Sequence, residues 1–188
     1  MVDCVATREV FTVRGQQASR VRIHGKSLVV MTPKSLLRHK LAVSTLDELA
    51  NGEFQHLIGY ANADAKKVKR VVLCSGKVYY DLLEKRRSEN RQDIAIVRLE
   101  QLYPFPTKAL VTELSRFKQA EFVWCQEEPR NMGAWHFVEH YIEWVLNNIE
   151  AKQKRPRYAT RPASAATAVG QMSKHLAQLK QLLDEALG

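Results

Sequence analysis

Trp124-Cys-Gln-Glu-Glu-Pro-Arg-Asn-Met-Gly-Ala-Trp135 decides the fold of this chain, because an apolar strand runs there into paired acids, a proline and a glycine before an aromatic helix begins. Phe122, Val123 and Trp124 read as the end of a buried strand, Pro129 stops any helix, and Asn131 reads as the N-cap of the amphipathic helix that follows. A parallel α/β sheet sets polar groups at the carboxyl ends of its strands in this way, and ligand or partner contacts gather in such loops.

Working outward, the same rhythm starts at Val68: strand 70–74, helix 76–87, strand 93–99, helix 106–117, strand 121–125 and helix 132–149. Strands alternating with helices predict right-handed βαβ units, hence a three-layer α/β domain whose mostly parallel sheet is flanked by helices. Tyr158 falls in one more short strand, and Met172, Leu176, Leu179, Leu183 and Ala186 mark the stripe of a closing helix. Upstream, Leu28 to Met31 read as a short buried strand, and Thr32-Pro33 opens a brief helix. Residues 1–26 hold too little apolar pattern to build a domain, and the pattern between Leu41 and Ala65 is irregular, with turn signals at Asn51-Gly52 and 62–64. The expected division is the tail of a preceding domain at 1–44, a linker at 45–66 and a carboxyl-terminal α/β domain at 67–188.

A chain of 188 residues with 45% hydrophobic content suits one compact globular domain and a little more. No apolar run approaches the roughly 20 residues that cross a bilayer, and Met1-Val2-Asp3-Cys4 has no signal-peptide pattern, so a reducing cytosol or organelle matrix is expected. Cys4, Cys74 and Cys125 are far apart and form no C-x-x-C, which reads as inert thiols rather than a disulfide frame or zinc knuckle. The net charge of +9 suits a polyanion: nucleic acid, the phosphates of a coenzyme, or an acidic subunit. A basic nucleic-acid-binding α/β module is therefore the alternative reading, although no recognition motif or basic-aromatic stripe supports it, and the basic bursts read as solvated faces.

Short motifs carry little chemistry. His136-Phe-Val-Glu-His140 matches the inverted zinc-protease pattern, but Trp135, Val138, Ile142, Val145 and Ile149 define the buried stripe and turn both histidines to solvent, away from the sheltered site a catalytic metal needs. Cys74-Ser-Gly-Lys77 opens a helix and could hold a phosphate, yet it lacks a full phosphate-loop pattern and Ser75 reads as a plain N-cap. Between Arg155 and Ser164, three arginines and two prolines would preorganise guanidinium groups for a phosphate or carboxylate. Glu127 and Glu128 read as structural or intersubunit groups rather than an acid–base pair. No catalytic residue, metal ligand or complete active site is legible.

Met31-Thr-Pro-Lys-Ser-Leu-Leu-Arg-His39, Cys74-Ser-Gly-Lys-Val-Tyr-Tyr-Asp-Leu-Leu83, Ala95 through Pro106, Trp124 through Trp135 and Arg161-Pro-Ala-Ser-Ala together resemble the carboxyl-terminal portion of the 2-oxoglutarate dehydrogenase family, the decarboxylating components that use thiamine diphosphate and magnesium. The resemblance implies a transketolase-like architecture, with the truncated end of a pyrimidine-binding domain followed by the carboxyl-terminal domain. It implies a homodimer that works with the lipoyl-bearing succinyltransferase component, while most cofactor contacts lie upstream of the matched region. This portion alone is then expected to bind no cofactor and to be inactive. By the same resemblance an acetyl coenzyme A or nucleotide effector would sit near Arg157, Arg161 and Ser164. Lys34 and Arg38 would face the active-site channel, and Glu127, Glu128 and Asn131 would border that channel or an interface.

Overall fold

The computed structural model describes residues 33–61 and 65–188. The readings of residues 1–26, of the strand at Leu28 to Met31, of the cap at Thr32 and of the turn at 62–64 lie outside them. Contacts divide the chain into two units, Met1–Gln55 and His56–Gly188. Within the described part of the first, a single 3-10 turn, Lys34–Leu36, buries Leu36 and leaves Lys34 and Arg38 exposed. It is followed by helix α1, Leu46–Ala50, closed by a reciprocal capping box between Thr45 and Glu48.

The second unit is the α/β body. Its elements are β1 Leu57–Ile58, β2 Arg70–Cys74, α2 Val78–Ser88, β3 Ile94–Leu99, α3 Thr107–Leu114, β4 Glu121–Pro129, α4 Trp135–Asn148, β5 Arg157–Arg161 and α5 Met172–Leu187. The sheet order is β1-β3-β2-β4-β5; β2 to β5 are parallel, and β1 adds an antiparallel edge. The irregular sequence at 41–65 hid this edge, because two residues are too few to show a period. Alternation along each strand feeds two cores. Val71, Leu73, Val97, Phe122 and Trp124 face α3 and α4, whereas Val72, Cys74, Ile96, Val123 and Cys125 face α2 and α5.

Three expectations need correction. The strand read as 121–125 continues to Pro129, with a register shift between Cys125 and Pro129, so the paired acids are part of the strand. The helix after it begins at Trp135 rather than near Met132, and neither Asn131 nor Ser75 caps a helix: the residues preceding α4 and α2 are Ala134 and Lys77, with no side-chain cap. In α5 the buried residues are Leu182, Leu183, Ala186 and Leu187, while Met172 and Leu176 are exposed. The fully buried residues of that helix are confined to its second half. The stripe of α4 is buried as read, and His136 and His140 are exposed.

Candidate functional site: the carboxyl edge of the sheet

Between β2 and β4 the outgoing connections diverge, since α2 packs on one face of the sheet and α4 on the other. Open α/β sheets bind ligands at such a divergence. Here side chains fill it. Gly76, at φ +77°, turns the chain out of β2 in a conformation other residues resist, and Lys77 then reaches across to Glu127 on β4 at 3.0 Å and to Asp81 at 2.8 Å. Burial works against the charge on Lys77, but the bond to Asp81 and the field of Glu127 outweigh it and hold its pKa above the ordinary lysine value.

Gln126, fully enclosed, organises the loop that opened the sequence reading. Its Oε1 accepts from Trp124 Nε1 at 3.0 Å and from the Trp135 amide at 2.9 Å, and its Nε2 donates to the Met132 carbonyl at 2.7 Å. Gly133, at φ +68°, lets the chain pass this amide; a Cβ there would meet Gln126 Nε2 at 2.8 Å. Glu128 points outward and is exposed. Asn131, expected as a cap, instead clasps the backbone of Ser164, donating to its carbonyl at 2.9 Å and accepting from its amide at 3.0 Å. The loops after β4 and β5 are thereby tied together.

The arginines expected to share one effector site are separated. Arg157, at the start of β5, pairs with Glu121 at 2.5 Å, and Glu121 is also held by Arg70 at 2.6 Å, so these three bind the amino edge of the sheet. Arg157 lines an open groove of about 700 Å³ with Arg130, Arg155 and Tyr158, where the Arg130 guanidinium lies 4.4 Å from the Tyr158 ring centre. Arg161, at the other end of the strand, is 7% exposed and lines a cavity of about 340 Å³ with Ser164, Thr167 and Lys174. Alternation along a strand tells which face a residue takes, but four residues of β structure also span about 13 Å, which splits the trio.

Sequence reasoning missed the buried ion pair Arg98–Glu100, 2.6 Å apart, with the Arg98 guanidinium 4.5 Å from the Tyr79 ring centre. The available signal was an arginine and a glutamate two residues apart, on one strand face, ending an apolar run. Cys74 pairs with Arg98 across the strands, and burial pushes its thiol up to about 12 despite the pull of that arginine.

The 2-oxoglutarate dehydrogenase C-terminal family matches residues 43–187. The chain belongs to that family. It is 57% identical over 174 residues to the 2-oxoglutarate dehydrogenase E1 component of Brucella anthropi, and 56% identical over 174 residues to that of Brucella ovis. Each match covers 87% of this chain and 17% of the relative, so the chain spans about a sixth of the proteins it matches. The sustained identity bears out the resemblance read from the motifs, and the nucleic-acid alternative draws no support from these relatives. Among the described residues no helix is long and apolar enough to cross a membrane.

Proposed function

We propose that this chain is the carboxyl-terminal portion of a 2-oxoglutarate dehydrogenase E1 component and that it serves subunit association and regulation rather than carrying the reacting groups. The observation that supports this most is the 57% identity across 87% of the chain to an E1 component that is far longer. On this reading residues 1–44 end a pyrimidine-binding domain. The whole enzyme decarboxylates 2-oxoglutarate and passes the succinyl group to the lipoyl arm of the succinyltransferase component, in a bacterial cytoplasm or a mitochondrial matrix. Thiamine diphosphate with magnesium supplies the carbanion chemistry in this family. On this reading the cofactor is held by polypeptide upstream of the described residues. Their own work is mechanical: Lys77–Glu127 and Gln126 fix the carboxyl edge of the sheet, and a second copy of the chain packs on the completed domain.

Lys34 and Arg38, both exposed, face the active-site channel in the complete enzyme, and Glu127, Glu128 and Asn131 border the channel or the homodimer interface. An acetyl coenzyme A or nucleotide effector engages Arg161 and Ser164, with Arg157 available only from the separate groove. Two experiments test the proposal. Deleting the region equivalent to 67–188 from a full-length E1 component is expected to abolish the dimer in analytical ultracentrifugation, and a persisting dimer overturns the association role. Arg161→Ala in the full-length enzyme is expected to lose activation by the effector, and undiminished activation overturns the regulatory role.

A further inference from the structure

We propose that the cavity between the end of β5 and the first turn of α5 binds a phosphate-type dianion, either free or as the terminus of a phosphate ester. This rests on the effector reading above and gives it a chemistry and a boundary. The leading observation is the state of Arg161. Its side chain is shut away from solvent and makes three hydrogen bonds, all to neutral acceptors: the Glu127 carbonyl at 2.8 Å, the His175 carbonyl at 3.2 Å and Gln178 Oε1 at 3.1 Å. Its Nη2 is buried and has no partner among the described residues. Glu127, whose carbonyl Arg161 holds, spends its carboxylate on Lys77. A guanidinium buried among neutral dipoles keeps an uncompensated charge, and an anion is what completes it.

The rest of the cavity agrees. Its wall carries a second cation, Lys174, and the hydroxyls of Ser164 and Thr167, and among the described residues no carboxylate. Lys174 stands in the first turn of α5, a helix of 16 residues whose amino end has no side-chain cap and so offers open amides and a positive field. The loop is held in shape beforehand, by the two hydrogen bonds between Asn131 and the Ser164 backbone and by Ser164 Oγ accepting from the Ala166 amide at 3.2 Å. A volume of about 340 Å³ holds a phosphate and a small substituent; a whole coenzyme A must leave most of its length outside. Arg157, paired with Glu121 at the opposite edge, takes no part.

Calorimetric titration of the 188-residue chain with inorganic phosphate tests this without any enzyme assay. Saturable binding with a Kd of about 1 mM or tighter is expected. Lys174→Ala, at an exposed position outside both cores, is expected to stay folded and to bind about tenfold more weakly, the scale of one charge-assisted hydrogen bond. A 5′-mononucleotide that competes and binds more tightly than phosphate marks an ester as the natural occupant; equal affinity marks the free ion. No saturable phosphate binding, or binding undiminished in the Lys174 variant, overturns the site. Failure of effector control appears separately, in turnover of the full-length enzyme.

Discussion

Gln126 Oε1 receives the Trp135 amide at 2.9 Å, so a side chain from β4 closes the first turn of the helix that leaves the strand. The same oxygen satisfies the indole of Trp124, one of the largest buried side chains. Gln126→Leu fills comparable volume but strands both donors, and is expected to lower the unfolding free energy by about 2–4 kcal/mol. Gln126→Glu keeps the acceptor and loses the amide donor to Met132. Urea denaturation of the three proteins checks the order wild type, Glu, Leu; equal stability of wild type and the leucine variant contradicts the role given to this residue.

The Arg98–Glu100 pair is buried on both sides, so removing one partner leaves the other charge without compensation. Glu100→Ala is expected to cost about 3–5 kcal/mol, while the double variant Arg98→Met, Glu100→Leu recovers most of that loss. Chemical denaturation of the single and double variants measures the recovery. A double variant as unstable as the single one contradicts the view that the uncompensated charge, and not lost packing, causes the damage.

How far the fold was legible depended on what each element had to hide. The strands buried on both faces, Arg70–Cys74 and Ile94–Leu99, announce themselves as apolar runs, and the α4 stripe of Trp135, Val138, Ile142 and Val145 shows its period, because each buries a face continuously. The misread places are those where a distant partner replaces a local rule. Asn131 looks like a cap and serves as a loop clasp; Gln126, of which the sequence reading says nothing, takes the first amide of α4; β1 is too short to carry a pattern. The run of arginines in the segment 155–164 was legible, but its division between two edges of the sheet follows from pairing with Glu121 on one side and α5 on the other, which sequence order does not reveal.

Glu121 sits between Arg70 and Arg157, and although burial alone would raise its pKa, the bonds to Arg157 and Arg70 prevail and hold it below the usual carboxylate range. Its contribution to stability is therefore present above the unfolded carboxylate pKa and is lost as pH falls through the lower folded value. The stability gap between wild type and Glu121→Gln is expected to be largest near neutrality and to close in acid. Unfolding free energies measured from pH 7 down to pH 3 test this, and a gap that does not change with pH contradicts it.

Cys74 and Cys125 are buried on the face shared by α2 and α5, and burial raises both thiols, that of Cys74 to about 12. Thiolates are scarce at neutral pH under those conditions. Peptide mapping after iodoacetamide treatment is expected to find both unmodified in the native chain at pH 8 and both modified in urea. Rapid native modification of either one contradicts the close packing between the sheet and α5.

The central claim is that the reacting machinery lies in polypeptide beyond this chain, and release of carbon dioxide from 2-oxoglutarate tests it most directly. With thiamine diphosphate and magnesium supplied, the 188-residue chain is expected to give none, and a protein that joins it to the upstream domains of its family is expected to turn over. Cofactor-dependent turnover by the 188 residues alone would contradict the account.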